Sequence, residues 1–157
     1  MRSRRIRALV ICAFCAVLVA VLLLFSFFGA PRKGEYESEH GTHYYLTGEE
    51  LTRLDVAVTL SVGEQVKNFA VDVVYTYDVY MENFEKRISM RLARVEYTGE
   101  DKAVKNLVSA LNRDIVARSE ETYQFGNLSL KAATDGGYAR GAGSVRINDE
   151  LLRRVGK

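Results

Sequence analysis

The chain has 157 residues, with 22 Lys and Arg against 20 Asp and Glu and a formal charge of +2. That excess is local. Arg2, Arg4, Arg5 and Arg7 lead the chain, and the residues after them hold 18 basic and 20 acidic side chains, without the basic stripe expected of a nucleic-acid-binding protein. Both cysteines, Cys12 and Cys15, fall in an apolar N-terminal run. There they read as small apolar residues rather than a thiol pair, and the rest of the chain has no disulfide to draw on.

The run extends from Ala8 to Ala30 without a charged residue. At about 1.5 Å per helical residue it is long enough for a hydrocarbon core of roughly 30 Å. It is too long for the apolar part of a cleaved signal peptide, and Phe28 and Pro31 disfavour cleavage after Ala30. The expected organisation is a basic cytoplasmic tail over 1–7, a transmembrane anchor over 8–30, a linker over 31–50 and an extracytoplasmic domain over 51–157. The arginines Arg2, Arg4, Arg5 and Arg7 set the orientation, because positive charge stays on the cytoplasmic side. In a Gram-negative cell the domain would stand in the periplasm.

Beyond the linker, residues 53–62 alternate: Leu54, Val56, Val58, Leu60 and Val62 share one face of a predicted strand. Residues 69–80 do the same through Phe69, Val71, Val73, Tyr75, Tyr77 and Val79. Residues 84–97 fit both strand and helix spacing. Their β-rich composition favours a third strand, and the change of face between Leu92 and Val95 then requires a bulge. Residues 100–123 read as one long helix, capped by Thr98 or Gly99, with an apolar stripe of Val104, Leu107, Val108, Leu111 and Ile115. Residues 127–147 suggest a hairpin turning at Thr134–Tyr138, and Asn148 or Asp149 a cap for a last short helix. Grouped strands with one major helix predict an α+β fold: an N-terminal transmembrane helix, then a small antiparallel sheet packed by one long helix.

Few residues suggest chemistry. His40 and His43, with Glu37 and Glu39 nearby, are zinc-competent types, but they fall in the expected linker, where no geometry is fixed. Asp55, Asp72 and Asp78 could act as paired carboxylates, though alternation places them on the polar face of a sheet. The glycines Gly136, Gly137, Gly141 and Gly143 lack the strand–loop–helix setting and the Lys-Ser/Thr of a phosphate loop. Asn127-Leu128-Ser129 matches a glycosylation triplet. No catalytic, cofactor or metal site is expected, and the chain reads as a non-enzyme. Tyr75, Tyr77, Tyr80 and Tyr97 are candidate interface residues, since tyrosine combines apolar area with a polar tip.

The segment RISMRLARVEY over 87–97, followed by a helix with Asn112-Arg113-Asp114-Ile115 and then Thr122-Tyr123, resembles the flagellar basal-body-associated FliL family. So does the order of basic tail, anchor, linker and small domain. The resemblance covers about 35 of the 157 residues. It implies a small α+β periplasmic domain and association with the flagellar motor. The expected function is thus a single-pass, membrane-anchored scaffold or interaction protein of a cell-envelope complex. Its expected partners are the membrane, envelope proteins and a second copy of itself. The alternative is a membrane-tethered ligand-binding or sensing module, with a pocket between helix and sheet.

Overall fold

The computed structural model describes residues 2–28, 31–138 and 144–156, and the chain divides into two units, Met1–Ala30 and Pro31–Lys157. The first unit is one helix, α1 (Arg2–Phe28). Its described side chains from Leu9 to Leu23 are all exposed, so apolar surface runs around the whole circumference. That stretch measures about 22 Å of helix. Among the described residues no helix is long and apolar enough to cross a membrane.

The second unit begins with five strands, β1 (Gly34–Ser38), β2 (His43–Leu46), β3 (Glu50–Val62), β4 (Gln65–Glu82) and β5 (Glu85–Glu96). Next come α2 (Lys102–Ala117) and the hairpin of β6 (Thr122–Phe125) and β7 (Leu128–Lys131). Three strands finish the chain, β8 (Ala133–Tyr138), β9 (Ser144–Ile147) and β10 (Glu150–Arg154). Eight of them close into a barrel in the order β1-β10-β9-β8-β5-β4-β3-β2, every neighbouring pair antiparallel.

This corrects the expected α+β fold of a small antiparallel sheet packed by one long helix. The sheet has no open pair of edges of the expected kind, because β1 pairs with β10 as well as β2. Closure removes the unpaired N–H and C=O rows that an open sheet must cover. The strands that close it come from segments the pattern assigns elsewhere. The region 31–50, expected as linker, carries β1 and β2. The region expected as a last short helix is β10, joined to β9 by a two-residue turn in which Asn148 and Asp149 both have positive φ. Thr134–Tyr138 is not a turn but lies within β8, and Leu128–Lys131 pairs with β6 instead. The long helix is shorter than expected. Asp101 caps it, accepting from the Ala103 and Val104 amides, and it stops at Ala117 because Thr122–Phe125 is extended.

The three central strands follow the sequence pattern in large part, but on β3 the expected face holds only from Val56, since Leu54 falls in an irregularity and Leu51 is the buried residue before it. Along β4 the odd residues from Phe69 to Val79 face the cores, with Val71, Val73 and Tyr77 buried, and the even residue Val74 is buried as well. On β5 the buried residues change from Ile88, Met90 and Leu92 to Val95, and the register slips there by one residue, with Tyr75 opposite Leu92 but Val74 opposite Arg94. This is the bulge that the change of face requires. A second irregularity on β3 lies between Arg53 and Val56, where Asp55 takes a positive φ and donates its amide to Asp72 Oδ1 at 2.9 Å.

The long strands β3, β4 and β5 serve two cores. Their halves Glu50–Arg53, Tyr75–Glu82 and Glu85–Leu92 belong to the barrel wall. Inside pack Tyr36, Tyr44, Leu46, Leu51, Tyr77, Ile88, Met90, Val145, Ile147 and Leu152. The other halves run on past the barrel as a three-stranded extension. One face of it is covered by Val104, Val108 and Leu111 of α2 and by Tyr123, Phe125 and Leu130 of the β6–β7 hairpin.

Candidate interaction surfaces

The barrel interior is filled by side chains, as in other small barrels whose inner positions interdigitate. Its buried phenols are tied to backbone or carboxylate. Tyr36 donates to the Arg32 carbonyl at 2.7 Å, Tyr77 to the Thr47 carbonyl at 2.6 Å, and Tyr44 to Glu150 Oε2 at 3.2 Å. Burial raises the pKa of all three, and that of Tyr75. For Tyr44 the rise reaches about 12, opposed by the charge of Arg53 and reinforced by Glu150. The hydroxyls of Tyr36, Tyr44 and Tyr77 are therefore neutral donors fixed in place.

The candidate interface tyrosines separate. Tyr77 lies inside the barrel, and Tyr75 is half-buried between the two cores. Tyr97 packs edge-to-face on Phe69 in the extension, with ring centroids 5.5 Å apart. Tyr80 faces outward and is exposed. The structure thus brings Tyr75 and Tyr77 together on one inner face and leaves Tyr80 alone on the surface. In the first unit, Arg7 is exposed, and the side chains of Arg2, Arg4 and Arg5 lie outside the described residues.

Asp72 supports the β3 irregularity through the Asp55 amide, and Asp78 is on the outer face of β4. His43 lies on β2 and is exposed, and His40 sits in the turn before it. Among the described residues no group of three metal-competent side chains converges. Gly136 is an interior strand position where a Cβ would stand 2.3 Å from the Arg146 carbonyl oxygen; Gly141 and Gly143 lie outside the described residues.

The extension ends in two free strand edges, and each is closed by an asparagine. On β5, Asn112 of α2 accepts from the Val95 amide and donates to the Val95 carbonyl, both at 2.8 Å. On β3, the Asn127 side-chain oxygen accepts from the Thr59 amide at 2.7 Å, and the Asn127 backbone N–H donates to the Thr59 carbonyl at 3.1 Å. The asparagine of the glycosylation triplet is thereby committed to the fold. Gly126 beside it has φ +59, and a Cβ there would meet the Thr59 oxygen at 2.3 Å. On the outer face, Arg94 forms a paired contact with Glu50 (2.6 and 3.1 Å) and a third bond to Glu96 at 2.6 Å. It spans from β5 across β4 to β3 and locks the junction between barrel and extension.

What remains open is surface. A shallow groove of about 430 Å³ runs along the β1–β10 seam, lined by Glu37, Ser38, Glu39, Arg153, Arg154 and Val155. Its mixed charges suit water as well as any single ligand. Phe84, at the tip of the β4–β5 hairpin, is 90% exposed and has φ +63. Sequence reasoning placed Phe84 in the 84–97 segment and missed it. The signal to read was Asn83-Phe84 flanked by Glu82 and Glu85, polar turn chemistry surrounding one large aromatic.

No protein-family model, no curated protein and no solved structure matches the chain.

Proposed function

We propose that this protein is a membrane-tethered scaffold or interaction protein of a cell-envelope complex, with residues 8–30 in the bilayer and the barrel held at its extracytoplasmic face. One observation carries the reading. The uncharged run is helical through Phe28, and its described side chains are apolar and exposed on every side. A helix apolar all round needs an apolar surrounding, and lipid provides one. The arginines before the run favour the cytoplasmic side for the N-terminus.

The scaffold part of the reading rests on how the barrel uses its side chains. Its interior is packed, its phenols are pinned, and its strand edges are closed by partners from its own chain. Contact with other molecules is then left to its outer surface, as for a protein–protein docking domain. The resemblance to the FliL family makes a flagellar motor the first complex to test. Crosslinking of the full chain in its own cells, extraction in mild detergent and identification of what is retained provides the test. The expected result is a defined set of envelope proteins. Recovery of flagellar basal-body components would name the complex. Full-length protein that crosslinks to nothing and fractionates away from membranes would overturn the proposal.

A further inference from the structure

An arginine keeps its charge at any physiological pH, and drawing it out of water costs free energy unless acceptors meet it. Arg53 Nε is shut off from solvent and has no hydrogen-bond partner. No other buried or half-buried side chain among the described residues has such an atom. No ion pair among them involves Arg53 either. Its two Nη groups also lack a partner, and they remain open to solvent. The guanidinium is thus partly stripped of water, with its charge unanswered and its outer donors accessible. Arg94 shows the contrast, since Glu50 and Glu96 take its whole fork.

Strand pairing places this group. Leu46 and Leu51 pair inside the barrel, so Tyr44 and Arg53, the pair two residues along, share the inner face. Arg53 is the last residue of β3 that β2 covers, and the register irregularity follows at once. Tyr75 stands opposite Leu51 on β4, diagonal to Arg53 and about 7–8 Å from it along the sheet. The Arg53 charge reaches both phenols and opposes the rise that burial gives their pKa values. The Tyr44 hydroxyl is committed to Glu150 Oε2. The Tyr75 hydroxyl has no partner among the described residues and is open to solvent. The end of the barrel where β2 leaves β3 therefore gathers an unpaired cation, a free hydroxyl donor and one carboxylate already bonded.

We propose that Arg53 and the Tyr75 hydroxyl form a binding site for a single carboxylate group at this end of the barrel. The two Nη groups donate in parallel and match the two oxygens of a carboxylate end-on. The desolvated Nε strengthens the attraction, because charge is screened less where water is excluded. Glu150, held beside Tyr44, repels a second negative charge, so a monovalent carboxylate suits the site better than a phosphate dianion. The proposal does not depend on the tether reading.

Thermal unfolding of the full chain in mild detergent tests it, with acetate titrated against chloride at constant ionic strength. Arg53→Met is the reference, since it keeps the stem and removes the charge, and subtracting its response removes general salt effects on stability. The expected result is a midpoint that rises with acetate in the parent chain and not in Arg53→Met. Arg53→Lys should lose most of the rise, because an ammonium cannot make the paired contact. Tyr75→Phe should weaken acetate by about 2–10-fold, the worth of one neutral hydrogen bond. Equal acetate responses in the parent chain and Arg53→Met would overturn the proposal. So would a larger Arg53-dependent response to phosphate than to acetate. If Arg53→Met folds poorly, nitrogen-detected NMR of the parent chain decides instead: the Arg53 Nε–H signal should move saturably with acetate, and a signal that stays still overturns the site. A glutamate-containing peptide with blocked ends identifies the source. Competition with acetate would assign the site to a carboxylate on a protein, and failure to compete to a free small acid.

Discussion

The two cores of the second unit solve one problem in different ways. Both are bounded by β3, β4 and β5, and both must keep backbone donors and acceptors paired. The barrel half does so by closure, strand to strand around the ring. The extension cannot close. It ends each outer strand with an asparagine delivered by a separate element, Asn112 from the helix and Asn127 from the hairpin. The barrel's integrity is thus distributed over eight strands, whereas the extension's rests on a few side chains. This predicts that the extension opens at lower cost than the barrel, as small cooperative units within one domain can.

Substitution can break that comparison. The largest effect is expected for Leu152→Ala, since Leu152 is 0% exposed at the centre of the barrel core. A loss of about 2–5 kcal/mol is expected from the transfer and cavity terms. Chemical denaturation should show it, with protection lost in β1, β9 and β10 and in the extension together. Asn112→Leu comes next. It leaves the Val95 amide and carbonyl without partners, each worth about 1–3 kcal/mol when buried. Hydrogen exchange should accelerate at 94–96 and in α2 while β1, β9 and β10 stay protected. Simultaneous loss in both regions would show that the two cores open as one unit.

Gly126→Ala tests the other edge. A Cβ there meets Thr59 backbone and the φ is positive, so a loss of about 1–2 kcal/mol is expected, localised to the β6–β7 hairpin and 56–62. In the opposite direction, Phe84→Gly should stabilise the chain by about 0.5–1 kcal/mol in detergent, as the left-handed strain is released against glycine's larger unfolded freedom. A thermal melt decides it, and a fall in midpoint would mean that Phe84 contributes packing in solution.

The pH response should also divide the molecule. Tyr44, in the barrel, has its pKa raised from 10.0 to about 12, chiefly by burial. Its folded pKa exceeds the unfolded one, so its contribution is complete below pH 10 and is lost as pH rises through about 12. Asp101, at the start of α2, has its pKa lowered from 3.8, first by the Lys67 ammonium and then by the helix amides. Its contribution is present above 3.8 and is lost as pH falls through the lower folded value. Acid should therefore loosen the extension first and alkali the barrel first. Helical circular dichroism against phenolate absorbance would separate the two, and Asp101→Asn should shrink the acid limb to the part due to Glu50, whose pKa is lowered by its hydrogen bonds to Arg94.

Much of the extension was legible in the sequence. The alternation of β3 and β4, the stripe of α2 and the bulge after Leu92 all follow from periodicity, because long elements with one buried face carry enough repeats to show it. The barrel was not. β1 reads GEYES and β10 reads ELLRR, so a strand of five residues offers two or three inward positions among charged neighbours. Of the surface tip, the turn was visible in composition, but only the φ angles and the exposure of Phe84 distinguish it from a core aromatic.

The sequence by itself determined an uncharged apolar run behind four arginines, a long-stranded sheet and an amphipathic helix. Each is a local pattern, fixed by the spacing of apolar and charged side chains. Only tertiary structure decided that β1 pairs with β10, that Tyr77 points into a closed barrel while Tyr80 does not, and that the end receiving Pro31 also presents Phe84. The closing pair joins residues more than a hundred positions apart. Such contacts leave no periodic trace in the segments that make them, and become favourable only once the whole ring can form.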